Sequence, residues 1–127
     1  MRNAIIAVVF AAALIPVSGH AALRAVQPLS GYACMMTRLS PAQMRDFGAL
    51  PRIVDRPSPS GKPIALASAI VFVRSPLHVE KGYAEVLAMT GQTGWLQRDW
   101  LQPYHSASDP HAHCTPSLMS NGKPGIG

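Results

Sequence analysis

From Leu50 onward the apolar residues fall in short runs divided by turn formers, the spacing of strands rather than helices. Ile70-Val71-Phe72-Val73 is β-branched and aromatic, which predicts a strand. Tyr83 to Met89 predicts another. Thr90-Gly91-Gln92 then makes a hairpin turn, with Gly91 free to take positive φ, and Thr93-Gly94-Trp95-Leu96 is the return strand. Ile53-Val54 precedes a loop from Asp55 to Pro63 that holds Pro57, Pro59 and Gly61. Arg98-Asp99-Trp100 predicts a tight turn and Leu101 to Tyr104 a last short strand. About five short strands with turn signals throughout predict an all-β fold, a small barrel over residues 50–104. Within it, Trp95 is expected in the core and Trp100 nearer to water, because Trp100 follows the polar turn Gln97-Arg98-Asp99.

Before the barrel the pattern is different. Ser40 can cap a helix, Pro41 suits its first position, and Gln43 completes a capping box. One short helix over 41–47 is predicted, ending at Gly48, with Met44 and Phe47 docked on a sheet. Residues 22–49 then form an N-terminal extension. Residues 105–127 form a C-terminal tail or wrapped loop, since Pro116, Asn121, Gly122, Pro124, Gly125 and Gly127 forbid a helix.

The first 21 residues carry a separate signal. Met1-Arg2-Asn3 is a basic start, Ala4 to Ile15 is unbroken apolar sequence, Pro16 breaks it, and Gly19-His20-Ala21 places small residues at a cleavage site. This is the three-part pattern of a secretory signal peptide, over residues 1–21, with the cut after Ala21 or after Ala22. The run is short for a membrane span, so the exported chain is expected to keep no stable span and to be periplasmic or secreted. In that oxidising setting, Cys34 and Cys114 are expected to pair, joining the two extensions. A thiol or metal site is the rival reading, but the spacing is unlike Cys-x-x-Cys.

The barrel region resembles the bacterial SH3-like (SH3b) domain over about residues 50–104. The likeness rests on Val54-Asp55-Arg56-Pro57-Ser58-Pro59-Ser60, on Gly82-Tyr83-Ala84-Glu85-Val86, on Gly91-x-x-Gly94-Trp95-Leu96 and on Leu101. In that family the Gly-Trp-hydrophobic step starts the fourth strand, and a Leu after a one-turn helix ends the barrel. The chain departs from it at Ala67-Ser68-Ala69-Ile70, where the family carries Gly-x-x-Val, and it lacks the acidic-aromatic groove of peptide-binding eukaryotic SH3 domains. The resemblance therefore implies a fold and not a ligand.

Composition narrows the function. The chain has 127 residues, 11 Lys plus Arg against 6 Asp plus Glu, and a net charge of +5. One small domain is all this length allows. There is no Gly-x-Ser-x-Gly elbow or Gly-rich phosphate loop, and too little chain for a Cys-His hydrolase domain around Cys34. The expectation is a protein that is not an enzyme and needs no cofactor. The cations are scattered and the chain is expected to be exported, which argues against nucleic acid.

Two sets of residues remain as candidate sites. Arg56, Arg98, Trp100 and Tyr104 would form an aromatic and basic groove, with packing against the extensions as the competing reading. His105, His111 and His113, with Asp109 between them, supply ligand types for zinc or copper. Their spacing matches no standard zinc motif, and Asp109-Pro110 marks a turn, so these are equally the polar residues of a loop. The function expected is an exported, non-enzymatic SH3-like binding module of the bacterial envelope. Its ligand would be a cell-wall (peptidoglycan) peptide or an envelope protein. A periplasmic metal-binding protein using His105–His113 is the alternative.

Overall fold

The computed structural model describes residues 22–106 and 108–127, so the signal-peptide reading of 1–21 lies outside the described residues. Eleven strands, one α-helix and two 3-10 turns are found among them. The larger sheet has eight strands. These are β2 (Tyr32–Thr37), β3 (Arg52–Val54), β4 (Pro63–Leu66), β5 (Ile70–Arg74), β6 (Val79–Glu80), β7 (Tyr83–Leu87), β8 (Thr93–Gln97) and β9 (Leu101–Pro103). Its order is β4-β3-β8-β7-β5-β2-β9, with β6 paired to β7. The smaller sheet is β1 (Ala25–Pro28), β10 (Pro116–Met119) and β11 (Pro124–Ile126), in the order β1-β10-β11.

The fold is thus mostly β-sheet with one short helix, as expected, but the sheets are not closed on themselves. More strands form than the five expected, and the extensions do not simply wrap a barrel. Within 22–49, β2 lies inside the large sheet between β5 and β9. The stretch read as a tail carries the β10–β11 hairpin, whose turn uses Gly122 at φ 79°.

Strand alternation divides the large sheet into two faces. Ile53, Val71, Val73, Ala84, Val86, Leu96 and Leu101 form the main core on the inner face. On the outer face, Phe72 pairs with Cys34 on one side and Leu87 on the other. Phe72 is 0% exposed yet lies outside the main core cluster. What covers it is the small sheet. Cys34 is joined to Cys114 by a disulfide with Cα atoms 6.1 Å apart, two residues before β10 begins. Pro124 of β11 reaches the β7–β8 turn, 3.9 Å from where a Cβ on Gly91 would stand. The continuous apolar run Ile70–Val73 follows from this: β5 is buried on both faces.

The helix is shorter than expected. The capping box forms, with the Ser40 side chain accepting from Gln43 N–H and the Gln43 side chain accepting from Ser40 N–H. But α1 covers only Pro41–Met44, and Phe47–Ala49 is a separate 3-10 turn capped by Asp46. Met44 and Phe47 are not buried on a sheet; both are exposed.

The two tryptophans also differ from expectation. Trp95 lies between Gly94 and Leu96, and those two point inward, so alternation sends the indole to the outer face. Trp95 is half-buried there, while Trp100 is half-buried against the main core. Gly94 does permit a close approach, but the neighbour it admits is β3 and the residue it turns inward is Leu96.

Candidate binding cleft

An open cleft of about 410 Å³ is lined by Met35, Arg38, Leu77, Arg98, Asp99 and Leu101. It lies where the inner face is left uncovered beside the β2–β9 edge. Met35 and Leu101 belong to the inner face and give it an apolar floor. Leu77, from the β5–β6 connection, is 41% exposed and makes an apolar wall.

The charged rim is held by backbone bonds. Arg38 N–H donates to Trp100 C=O at 2.7 Å, and Arg38 Nε donates to Leu101 C=O at 3.2 Å. The 3-10 turn Arg98–Trp100 is tied to the β6–β7 hairpin through Arg98 N–H and Gly82 C=O at 2.9 Å. Two guanidinium groups and one carboxylate therefore stand over an apolar floor, with one net positive charge. Such a rim suits a ligand that carries a carboxylate beside an apolar group. The volume falls at the small end of ordinary ligand sites.

The groove expected from sequence is only partly gathered. Arg98 and Trp100 share the 3-10 turn, but Trp100 packs against the core. Arg56 donates from its guanidinium to Ser60 C=O at 3.0 Å on the β3–β4 loop, and Tyr104 follows β9, half-buried. Of the four, only Arg98 lines the cleft. Sequence reasoning missed the other five lining residues, Met35, Arg38, Leu77, Asp99 and Leu101. No motif marks Arg38; it enters the site because β2 joins the sheet.

The histidines of the C-terminal segment are exposed. His105 N–H donates to the Met36 sulfur at 3.4 Å, and His111 N–H to Asp109 Oδ1 at 2.9 Å. His113 is exposed beside Cys114, whose sulfur is in the disulfide. Among the described residues, no three His, Cys, Asp or Glu side chains converge as metal ligands do.

The outer face beside the small sheet carries a second polar cluster. Arg74 lies 5.4 Å from the Tyr32 ring centroid, and its Nε is 3.6 Å from Glu85 Oε2. His78 reaches Glu85 through Nδ1 and Glu80 through Nε2, each at 3.1 Å, and meets Trp95 edge-on with centroids 5.5 Å apart. An imidazolium donates to both carboxylates; a neutral ring donates to one. The cluster ties the β5–β6 connection to the sheet, and its charged groups already use one another.

No helix among the described residues is long and apolar enough to cross a membrane. The chain matches no protein-family model, and comparison with curated proteins and with solved structures found no significant match.

Proposed function

We propose that this protein is an exported, non-enzymatic SH3-like binding module of the bacterial envelope, and that the cleft between β2, the β5–β6 connection and the Arg98–Trp100 turn holds its ligand. The observation that carries the reading is the cleft itself, with Arg38 and Arg98 over a floor of Met35 and Leu101. The SH3-like assignment rests on the Tyr83–Leu87 and Thr93–Gln97 hairpin, the single 3-10 turn after it, and buried Leu101 at the start of the next strand. Export rests on the pattern of residues 1–21 and agrees with a disulfide that closes a separation of 80 residues. The ligand is a cell-wall peptide or a segment of an envelope protein presenting a carboxylate and an apolar side chain.

The test is retention on sedimented peptidoglycan and capture from envelope extract. The wild-type chain is compared with an Arg38→Glu/Arg98→Glu variant. Both arginines are exposed, but Arg38→Glu also removes the bond from Arg38 Nε to Leu101 C=O, so the variant is used once its thermal melt matches that of the wild type. Retention in either assay that the double variant loses by more than about tenfold supports the reading, since each lost charge-assisted contact is worth about tenfold. No retention in either assay, or equal retention of both proteins, overturns it.

A further inference from the structure

In the connection between β2 and β3, no backbone hydrogen bond found from Ser40 to Leu50 reaches either sheet. We propose that its tip, Met44 to Phe47, docks on anionic lipid surfaces, with the Phe47 ring and the Met44 thioether entering the interface and Arg45 at headgroup level. The proposal is independent of the cleft and uses none of its residues.

The tip is built before it binds. Every backbone hydrogen bond found from Ser40 to Leu50 is local: Met44 N–H to Ser40 C=O, Arg45 N–H to Ala42 C=O, Asp46 N–H to Gln43 C=O, Ala49 N–H to Asp46 C=O, and Leu50 N–H to Phe47 C=O. Two side-chain caps close it, the Ser40–Gln43 box and Asp46 Oδ1 on Gly48 N–H. With both turns capped, the segment loses little freedom on docking.

What it presents is apolar. Phe47, at 75%, is the most exposed large hydrophobic side chain among the described residues, and Met44 is 46% exposed. A capped turn that aims a phenylalanine at water leaves that surface for a partner. Residues 39–52 carry one net positive charge, Arg45 and Arg52 against Asp46. Arg45 lies between the two apolar residues, and Arg52 stands exposed at the start of β3. Among the described residues only Arg74, of all Lys and Arg, has a carboxylate partner. Asp46, the acid of the tip, keeps its charge while its Oδ1 accepts from Gly48 N–H.

Shape selects lipid over protein. A protein interface needs about 800 Å² per partner with matched contours, and a tip with two apolar side chains offers far less. A bilayer yields around exposed side chains and needs no matched contour. Aromatic rings settle at the headgroup boundary, and each nearby Lys or Arg adds about fivefold to partition onto anionic lipid. Binding of this size is weak and reversible, as for a single short anchor.

The test is co-sedimentation of the full chain with phosphatidylglycerol and phosphatidylcholine vesicles, for wild type, Phe47→Ala and Arg45→Glu. Both side chains are exposed, so neither change threatens the fold, and the apolar N-terminal run is common to all three proteins. Phosphatidylglycerol is expected to bind the wild type over phosphatidylcholine, with each variant weaker by about tenfold or more. Phe47→Trp gives a second readout: its added emission should shift to the blue on phosphatidylglycerol vesicles. Equal partition of wild type and Phe47→Ala, no preference for the anionic lipid, or an unshifted emission overturns the proposal. Capture of an envelope protein through Phe47 with vesicle partition unchanged also overturns it.

Discussion

Replacing Gly94 by Ala tests how the two halves of the large sheet meet. β8 joins β3 at Val54 and Trp95, beside Gly94. A Cβ at Gly94 would stand 2.6 Å from Ile53 Cγ2, 2.8 Å from Ile64 Cδ1 and 2.9 Å from Val54 C=O. The first two are side chains; Ile53 is 2% exposed and has little room to turn. The third is backbone in a paired strand and yields only if β3 moves. Overpacking of this kind costs about 1–3 kcal/mol, and three contacts this short, one to backbone, place the loss near about 3 kcal/mol. That is a large part of the stability of a small domain. Gly82→Ala is the control. Gly82 has φ 80° but nothing within 4 Å of its Cβ position, so only backbone strain of about 1 kcal/mol is added. Urea unfolding of the wild type and both variants gives the comparison, with unchanged slopes as the sign that the folded states match. A loss at Gly94 no larger than at Gly82 would refute the reasoning, since steric contact and not glycine's dihedral freedom is what the structure makes costly there.

The tryptophans give a second comparison: Trp100→Ala should destabilise more than Trp95→Ala, because Trp100 packs on the core and Trp95 lies outside it. Equal losses, or a larger loss at Trp95 in a thermal melt, would show that the two faces of β8 are assigned the wrong way round. Phe72→Ala should cost about 3–5 kcal/mol in chemical unfolding, since Phe72 is fully buried between the sheets. A loss below about 2 kcal/mol would mean the small sheet does not seal that face. Reducing Cys34–Cys114 frees a separation of 80 residues, worth about 4.5 kcal/mol in the chain-entropy model. The melting temperature should fall by more than about 10 °C, and an unchanged melt would show that the small sheet holds without its staple.

The parts of the fold that could be read in the sequence are the local ones. Ser40, Pro41 and Gln43 specify their cap within four residues, and the cap forms. Thr90-Gly91-Gln92 sets its own turn, with Gly91 at φ 92°, and so brings β7 and β8 into register. The Cys34–Cys114 pair followed from there being two cysteines and no third, and it is present. The reading of the Arg98–Trp100 turn and of Leu101 after it rested on the same short-range chemistry.

What only the tertiary structure decided is which neighbour each strand found and which of its faces was covered. Nothing near Tyr32–Thr37 announces that it pairs with Ile70–Arg74 on one side and Leu101–Pro103 on the other. Those partners are remote in sequence, and a pairing strand looks the same whatever it pairs with. Alternation shows that Trp95 and Leu96 point to opposite sides but not which side is the core. Gly94 settled that by admitting Ile53 and Ile64 to the inner face. The candidate cleft was hidden for the same reason. Arg38 and Arg98 stand 60 positions apart, with no shared motif, and meet because one strand of a supposed extension completes the sheet. Met44 and Phe47 show the converse. Their spacing promised a buried helical face, but the helix ended after Met44, and no sheet came near enough to cover them. Hydrophobic spacing specifies a face; burial needs a second surface, and that surface belongs to the rest of the chain.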